Sequence, residues 1–306
     1  MLRVRSCAKV NLTLDVLSRR EDGYHELQSI VHSIGLWDTM SLEPDTHFSL
    51  SCNVPSLESD DNLCLKAGRL WLETAQDYAP RLHGARIVLD KQIPFGAGLG
   101  GGSGNAAAIL LALNALYRVR LPDKVLWSLA TRLGADVPFF LRGGCALMEG
   151  IGDKLTPLPN LEGWLVLVQP PQPLSTPQIY RRWDELELPS ARATSSLQST
   201  LMAQSRPDLS YIGPKLRNDL RHAAQAEGVD VTTIIELLKR EGALGAEMTG
   251  SGSAVFGLFE REESARDVAK QMRWESAAQS HNQGHHEWRV WVAPFCGQGV
   301  QLQNKT

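Results

Sequence analysis

Residues 91–105 read Lys-Gln-Ile-Pro-Phe-Gly-Ala-Gly-Leu-Gly-Gly-Gly-Ser-Gly-Asn, and Ala106, Ala107, Ala108, Ile109, Leu110 and Leu111 follow. Six glycines fall within nine residues, at 96, 98, 100, 101, 102 and 104. Each costs conformational entropy on folding, so the run marks a backbone that must approach something closely. A strand-like segment, Ala85 to Leu89, precedes it, and an apolar helix from Ala106 to Tyr117 follows. Ser103 and Asn105 stand near the expected cap of that helix. A helix N-terminus offers unpaired N–H groups and the positive end of a dipole. The stretch therefore reads as an anion site, most simply for phosphate; a flexible turn is the alternative.

Three familiar phosphate loops fit poorly. Gly96-x-Gly98-x-x-Gly101 matches the dinucleotide pattern in form, but that pattern needs an acid at the end of the next strand. The candidate, Asp123, follows Pro122 in what reads as a helix start. No Gly-Lys-Ser or Gly-Lys-Thr follows the glycines, which excludes a Walker loop. The lysine-bearing strand and the His-Arg-Asp motif of a protein kinase are missing too.

The whole chain of 306 residues is long enough for about two domains. Its formal charge of −3 gives no field for nucleic acid. The cysteines, at 7, 52, 64, 145 and 296, are odd in number and irregular in spacing. That argues for reduced thiols and a cytoplasmic protein. No apolar run is long enough to span a bilayer, and no repeat or low-complexity tract is present.

From the start, Val10, Leu12, Leu14 and Val16 alternate with Asn11, Thr13 and Asp15, the period of a half-buried strand. Lys9 lies within it, and on local grounds is a solvated lysine. Asp22-Gly23 is a turn signal, with Tyr24 and His25 at its edge; these suit base or sugar recognition, or simply a surface hairpin. Residues 28–42 read as a strand with a turn near 35–38, and Phe48 to Cys52 as another. Asp60-Asp61-Asn62 caps a helix running to about Tyr78 and ended by Pro80. Pro122 to Leu133 is a helix that Gly134 can cap. Asp136 then sits in a short turn, either partly desolvated or bonding its own backbone. Asn160 to Gly163 marks the domain boundary, giving domains 1–159 and 160–306. Beyond it come a buried strand at 164–169, a helix starting near Leu174–Tyr180 and a loose serine-rich stretch at 194–207. Helices at 215–227, 231–241 and 262–272 and strands at 254–259 and 288–292 complete the chain. His281, His285 and His286 invite a metal, but their neighbours read as a loop and nothing completes a ligand set, so no metal ligands are assigned.

Three stretches in combination carry more than any one alone. Ala8-Lys9-Val10-Asn11, Pro94 to Ala108, and Met248 to Ala254 resemble the three motifs of the GHMP small-molecule kinases. Asp22-Gly23-Tyr24-His25, Gly100 to Ala107, and Leu133 to Pro138 look like the branch that phosphorylates 4-diphosphocytidyl-2-C-methyl-D-erythritol in the non-mevalonate isoprenoid pathway. The resemblance implies an α+β, two-domain fold: an amino-terminal ATP-binding domain like that of a ribosomal protein, and a carboxy-terminal α/β sandwich. It implies transfer of the γ-phosphoryl of ATP, with Mg2+, to the 2-hydroxyl of the cytidylyl substrate, by a monomer or weak homodimer with no nucleic-acid or membrane partner. Asp136 then matches the base and Lys9 its charged partner. Asn62, Lys91, Pro94, Gly96, Ala97, Gly98, Leu99, Gly100, Gly101, Gly102, Ser103 and Gly104 match the nucleotide site. Asn11, Tyr24, His25, Thr176 and Tyr180 match the substrate pocket, and Gly250, Ser251 and Gly252 a second loop near the transferred phosphate. Tyr24 and Tyr180 are expected to stack on a pyrimidine, with His25 at its edge. One departure stands out: the family usually has a second serine where this chain has Gly104, so Gly104→Ser is expected to keep or raise turnover. The rivals are another GHMP kinase and an RNA-binding protein of the same amino-terminal fold.

Overall fold

The computed structural model describes residues 1–79, 82–172, 174–204, 206–283 and 287–303. Pro80, residues 285 and 286, and the side chain of His281 lie outside the described residues. The first half contains β1 (Leu2–Arg19), β2 (His25–Asp45), β3 (Ser49–Cys52), α1 (Leu63–Ala75), β4 (Gly84–Asp90), α2 (Gly101–Tyr117), α3 (Asp123–Leu133), α4 (Val137–Arg142), β5 (Cys145–Gly150) and β6 (Lys154–Leu158). The second contains β7 (Trp164–Gln169), α5 (Thr176–Leu186), α6 (Thr194–Met202), α7 (Leu209–Ile212), β8 (Arg217–Asn218), α8 (Arg221–Ala226), α9 (Val231–Arg240), β9 (Ala246–Met248), β10 (Val255–Phe259), α10 (Glu262–Gln283), β11 (Arg289–Pro294) and β12 (Val300–Gln303).

The strands β1 and β2 pair antiparallel from Leu2↔Leu42 to Arg19↔His25. No turn interrupts β2 at 35–38. A register shift opposite Cys7/Ala8 absorbs the extra residues as a bulge. Gly35 sits at that bulge because a Cβ there would lie 2.9 Å from Pro294 Cγ. The bulge also divides the partners of β2, which pairs with β5 before it and with β4 after it. A second sheet, all antiparallel, runs β11-β7-β10-β9.

Four layers follow from the burial pattern. The helices α1–α4 pack on one face of the first sheet, around Met40, Ile87, Trp71 and Ile109. Its other face meets the second sheet through Val10, Leu12 and Ile34 against Leu165, Leu167 and Phe256. The far face of the second sheet is covered by α8–α10. We propose keeping the domains 1–159 and 160–306, with β8 and β12 as strands that the second lends to an edge of β1. No described helix is long and apolar enough to cross a membrane.

Several segments differ from their sequence reading. The polar face of β1 is not solvated: Asn11, Thr13 and Asp15 are buried. Asp15 accepts the N–H groups of Ala193 (3.0 Å) and Thr194 (2.9 Å). That bond pair organises the stretch expected to be loose, whose 194–202 portion is a helix with Leu197 and Leu201 buried. The helix expected at 215–227 begins only at Arg221, because Arg217 and Asn218 pair with β1 instead. The last helix, α10, runs well past Met272. Gly134 does cap α3, but in extended rather than left-handed backbone (φ 160°).

His32 ties the sheet to the boundary segment. It is fully buried, with Nδ1 2.8 Å from the Ser33 carbonyl oxygen and Nε2 accepting the Leu161 N–H at 2.9 Å. Burial pushes its imidazole from 6.5 down to about 4. The folded value is depressed, so the unfolded chain binds the proton more tightly between those values. The stabilisation is present above pH 6.5 and lost as pH falls through about 4. We expect unfolding free energy, measured by urea titration, to drop by up to about 3 kcal/mol across that window, and the slope to flatten in His32→Gln.

Candidate active site

The glycine arch is anchored at its start by a buried acid. Asp38, on β2, accepts the N–H groups of Gln92 (2.7 Å) and Ile93 (2.8 Å) through one oxygen and the Lys91 ammonium through the other. From there Gly96, Gly98 and Gly100 take φ of +67°, +76° and +69°, where L side chains are strained. Between them Ala97 and Leu99 point into the core. The Lys9 N–H donates to the Leu99 carbonyl oxygen at 3.0 Å, so β1 holds the arch from below. The second glycine loop holds it from the side. A Cβ on Gly98 would lie 2.3 Å from the Thr249 carbonyl oxygen, and one on Gly250 2.9 Å from that of Gly98. Asn218 fixes that second loop, donating to the carbonyls of Met248 (2.9 Å) and Gly250 (2.8 Å).

The helix after the arch starts at Gly101, five residues before the expected Ala106. Its N-cap is Gly100, with no side-chain cap, so neither Ser103 nor Asn105 caps it. Asn105 is buried and accepts from Ser6 Oγ at 2.8 Å. The earlier start has a physical reason: the N–H groups of Gly101, Gly102 and Ser103 have no intrahelical partner in the first turn, and all three residues line the cleft described below.

Lys9 is buried, which removes the solvated reading. Its ammonium donates to Asn11 Oδ1 at 2.6 Å and lies 3.6 Å from Asp136 Oδ2. Asp136 occupies the N-cap position of α4 without capping it, so its carboxylate is not spent on its own backbone. Phe139 and Phe140 bury the far side of α4, and Phe140 rests against Gly100 and Gly104. Asn11 also donates to Ser29 Oγ at 2.8 Å, and its N–H donates to Thr249 Oγ1 at 2.9 Å. Its side chain is thus committed to orienting Lys9.

Across from this pair stands an aromatic group. Tyr24 is exposed on the β1–β2 turn. His25, expected at the edge of a base, itself stacks on Tyr180 (centroids 4.9 Å, planes at 23°). Loss of solvent, with the charge of Asp136 added, pushes the Tyr180 phenol up, so it stays protonated. Thr176 Oγ1 and Ser251 Oγ lie 2.8 Å apart and join α5 to the second loop.

The arch, the Lys9–Asp136 pair and the aromatic group border one cleft of about 860 Å3. Of the residues singled out in the sequence, Lys9, Asp136, Asn11, Tyr24, His25, Asn62, Lys91, Pro94, Gly96 through Ser103, Thr176, Tyr180, Gly250 and Ser251 line it. Gly104 and Gly252 do not. Gly104 backs onto the Cys7 carbonyl, and Gly252 onto Met248 and Leu174. Two of the lining residues are already engaged: Asn62 accepts the Cys64 N–H at 2.8 Å as the cap of α1, and Lys91 is paired with Asp38. Asp38, Thr249, Asn218 and Asp184 were not legible, because each acts through a partner far along the chain. Among the described residues no group of three His, Cys, Asp or Glu could hold a metal ion.

The family model for the GHMP kinases N-terminal domain matches residues 62–144, and that for the GHMP kinases C-terminal domain matches 206–275. A 4-diphosphocytidyl-2-C-methyl-D-erythritol kinase of Alkaliphilus metalliredigens is 38% identical over 264 residues, 84% of this chain and 88% of that protein. One of Caldanaerobacter subterraneus subsp. tengcongensis is 38% identical over 275 residues, 89% of this chain and 91% of that protein. A solved 4-(cytidine 5'-diphospho)-2C-methyl-D-erythritol kinase superposes with TM-score 0.76 at 35% identity, covering 96% of this chain and 99% of its own. The homoserine kinase of Cytophaga hutchinsonii, at 18% identity and TM-score 0.71 over 99% and 97% of the chains, shares the fold.

The contact at Gly104 revises the expectation for a serine there. A Cβ would lie 3.0 Å from the Cys7 carbonyl oxygen and 3.3 Å from Phe140 Cδ1. Crowding of this kind costs about 1–3 kcal/mol, against roughly 0.5 kcal/mol regained in helix propensity. We expect Gly104→Ser to lower Tm by about 1–4 °C in thermal denaturation. Turnover should not rise, because the added hydroxyl lies behind the cleft wall.

Proposed function

Because this chain belongs to the 4-diphosphocytidyl-2-C-methyl-D-erythritol kinases, a branch of the GHMP kinases, we propose that Lys9, Asp136 and the glycine arch form the phosphoryl-transfer centre. The enzyme phosphorylates the 2-hydroxyl of its cytidylyl substrate with ATP, in non-mevalonate isoprenoid biosynthesis. The observation that carries the assignment of roles is the approach of Lys9 to Asp136, two residues 127 positions apart that meet 3.6 Å from each other beside the arch.

Phosphoryl transfer asks for positioning and charge stabilisation more than for covalent chemistry. In our reading the free N–H groups of Gly101, Gly102 and Ser103 hold the phosphate oxygens at the positive end of α2. The second loop, through Gly250 and Ser251, borders the transferred group. Asp136 accepts the proton of the attacking hydroxyl as the oxygen–phosphorus bond forms. Lys9 balances the negative charge that gathers there. Asn62, Lys91 and Pro94 border the nucleotide end, where Leu57, Leu63, Leu89 and Phe95 add an apolar wall suited to adenine. Tyr24, His25, Thr176 and Tyr180 take the cytidine end. With no three-ligand cluster among the described residues, Mg2+ would arrive with the nucleotide, held by phosphate oxygens and water, with Ser103 and Asp136 the protein oxygens at hand; it would draw negative charge from the phosphates. We place the enzyme in the cytoplasm as a monomer or weak homodimer, its five cysteines being free.

The decisive assay couples ADP release to the cytidylyl substrate, with mevalonate and galactose as controls. In Asp136→Asn we expect kcat to fall by about 10^2–10^4-fold while ATP affinity stays within about threefold. A variant with undiminished kcat removes Asp136 from the base role.

A further inference from the structure

Asp184 is a cleft residue that no motif announces. It lies on α5 four residues after Tyr180, and Trp183 lies three after, so both stand on the face of the helix that Tyr180 occupies. That face is turned to His25. The imidazole stacks on Tyr180, meets Trp183 edge-on (centroids 5.8 Å, planes at 88°), and brings Nε2 to 2.7 Å from Asp184 Oδ1. The other carboxylate oxygen is 3.7 Å from the Arg19 guanidinium, which holds the acid in place. The ring is thereby fixed in tilt by two aromatics and in rotation by one hydrogen bond.

That bond has a chemical consequence. An ionised carboxylate can only accept, so Nε2 carries the proton. In the neutral ring Nδ1 is then a lone-pair acceptor. Nδ1 has no hydrogen-bond partner among the described residues, and His25 lines the cleft. We propose that Asp184 is a positioning residue for the nucleoside half of the substrate: by taking the Nε2 proton it presents His25 Nδ1 as an acceptor to a hydrogen donor there. The inference rests on the reading above that the cytidine end enters beside Tyr24 and Tyr180. Two donors on that half have the required chemistry, the exocyclic amine of cytosine and a ribose hydroxyl. Uracil carries a carbonyl where cytosine carries the amine, and repels an acceptor.

The test is steady-state kinetics of Asp184→Asn and Asp184→Glu at pH 8.5, with the cytidylyl substrate, its uridine counterpart and its 2′-deoxycytidine counterpart. An amide can donate as well as accept, so Asn no longer dictates which ring nitrogen holds the proton. For Asp184→Asn we expect KM for the cytidylyl substrate to rise by about tenfold or more, the scale of one lost hydrogen bond. The kcat and the KM for ATP should stay within about threefold, and Asp184→Glu should recover part of the loss. The penalty that the wild type places on the uridine compound disappears in Asp184→Asn if the amine is the donor; the penalty on the deoxy compound disappears if the hydroxyl is. An unchanged KM, a parallel rise in both KM values, or persistence of both penalties overturns the proposal. A wild-type enzyme inert toward the cytidylyl substrate removes the functional reading itself, before any variant is made.

Discussion

The hydrogen bond from the Lys9 N–H to the Leu99 carbonyl oxygen is the point on which the site turns. It fixes the height of the glycine arch above β1 and, through the same residue, the origin of the side chain that reaches Asp136. Backbone-to-backbone contact then locks the arch to the second loop, with Gly98 against Thr249 and Gly250 against Gly98. Neither contact tolerates a Cβ, so the glycines record distances rather than flexibility. Two segments about 150 residues apart can meet this closely only because β1 pairs with β8 on the side that carries Asn218, whose amide holds the second loop.

That reasoning explains which parts were legible in the sequence. A glycine that exists for a close approach looks the same in one dimension as in three, so the arch and the second loop stand out. The layers were legible where apolar and polar residues alternate, as at Val10 and Leu12. Polar residues buried in a network were not. Asn11, Thr13 and Asp15 carry the pattern of a wet strand face, yet they bond Ser29, Thr249, Ala193 and Thr194. Nothing local distinguishes a buried hydrogen-bonded polar face from a solvated one. For the same reason α6 was hidden: serines and threonines weaken its propensity, and an acid 179 positions away supplies the bond that starts it.

The boundaries of α2 show a subtler limit. Glycine is a poor helix former, so a reading by propensity begins the helix at Ala106. The structure begins it at Gly101, trading propensity for a first turn whose residues line the cleft. A local rule broken at a functional site is what such a site requires. The cost is offset by the apolar remainder of α2, buried from Ala106 through Leu110 against Cys7, Met40 and Phe140.

Two buried lysines in this molecule each face an aspartate, and the difference between the pairs supports the roles proposed above. Lys91 and Asp38 are both almost fully buried, with side chains 5% and 0% exposed. Asp38 also receives two backbone N–H groups, so its oxygens are occupied and the pair can only tether the arch. Lys9 is equally enclosed at 5%, but Asp136 is 34% exposed and accepts no hydrogen bond at the helix it begins. A buried charge left without a partner is costly, which keeps Lys9 turned toward Asn11 and Asp136. The carboxylate under no such constraint is the one with oxygen free for a substrate hydroxyl. Burial of the amine and exposure of the acid together suit the pair to the acceptor role proposed for it, where the Lys91–Asp38 pair is a fastening.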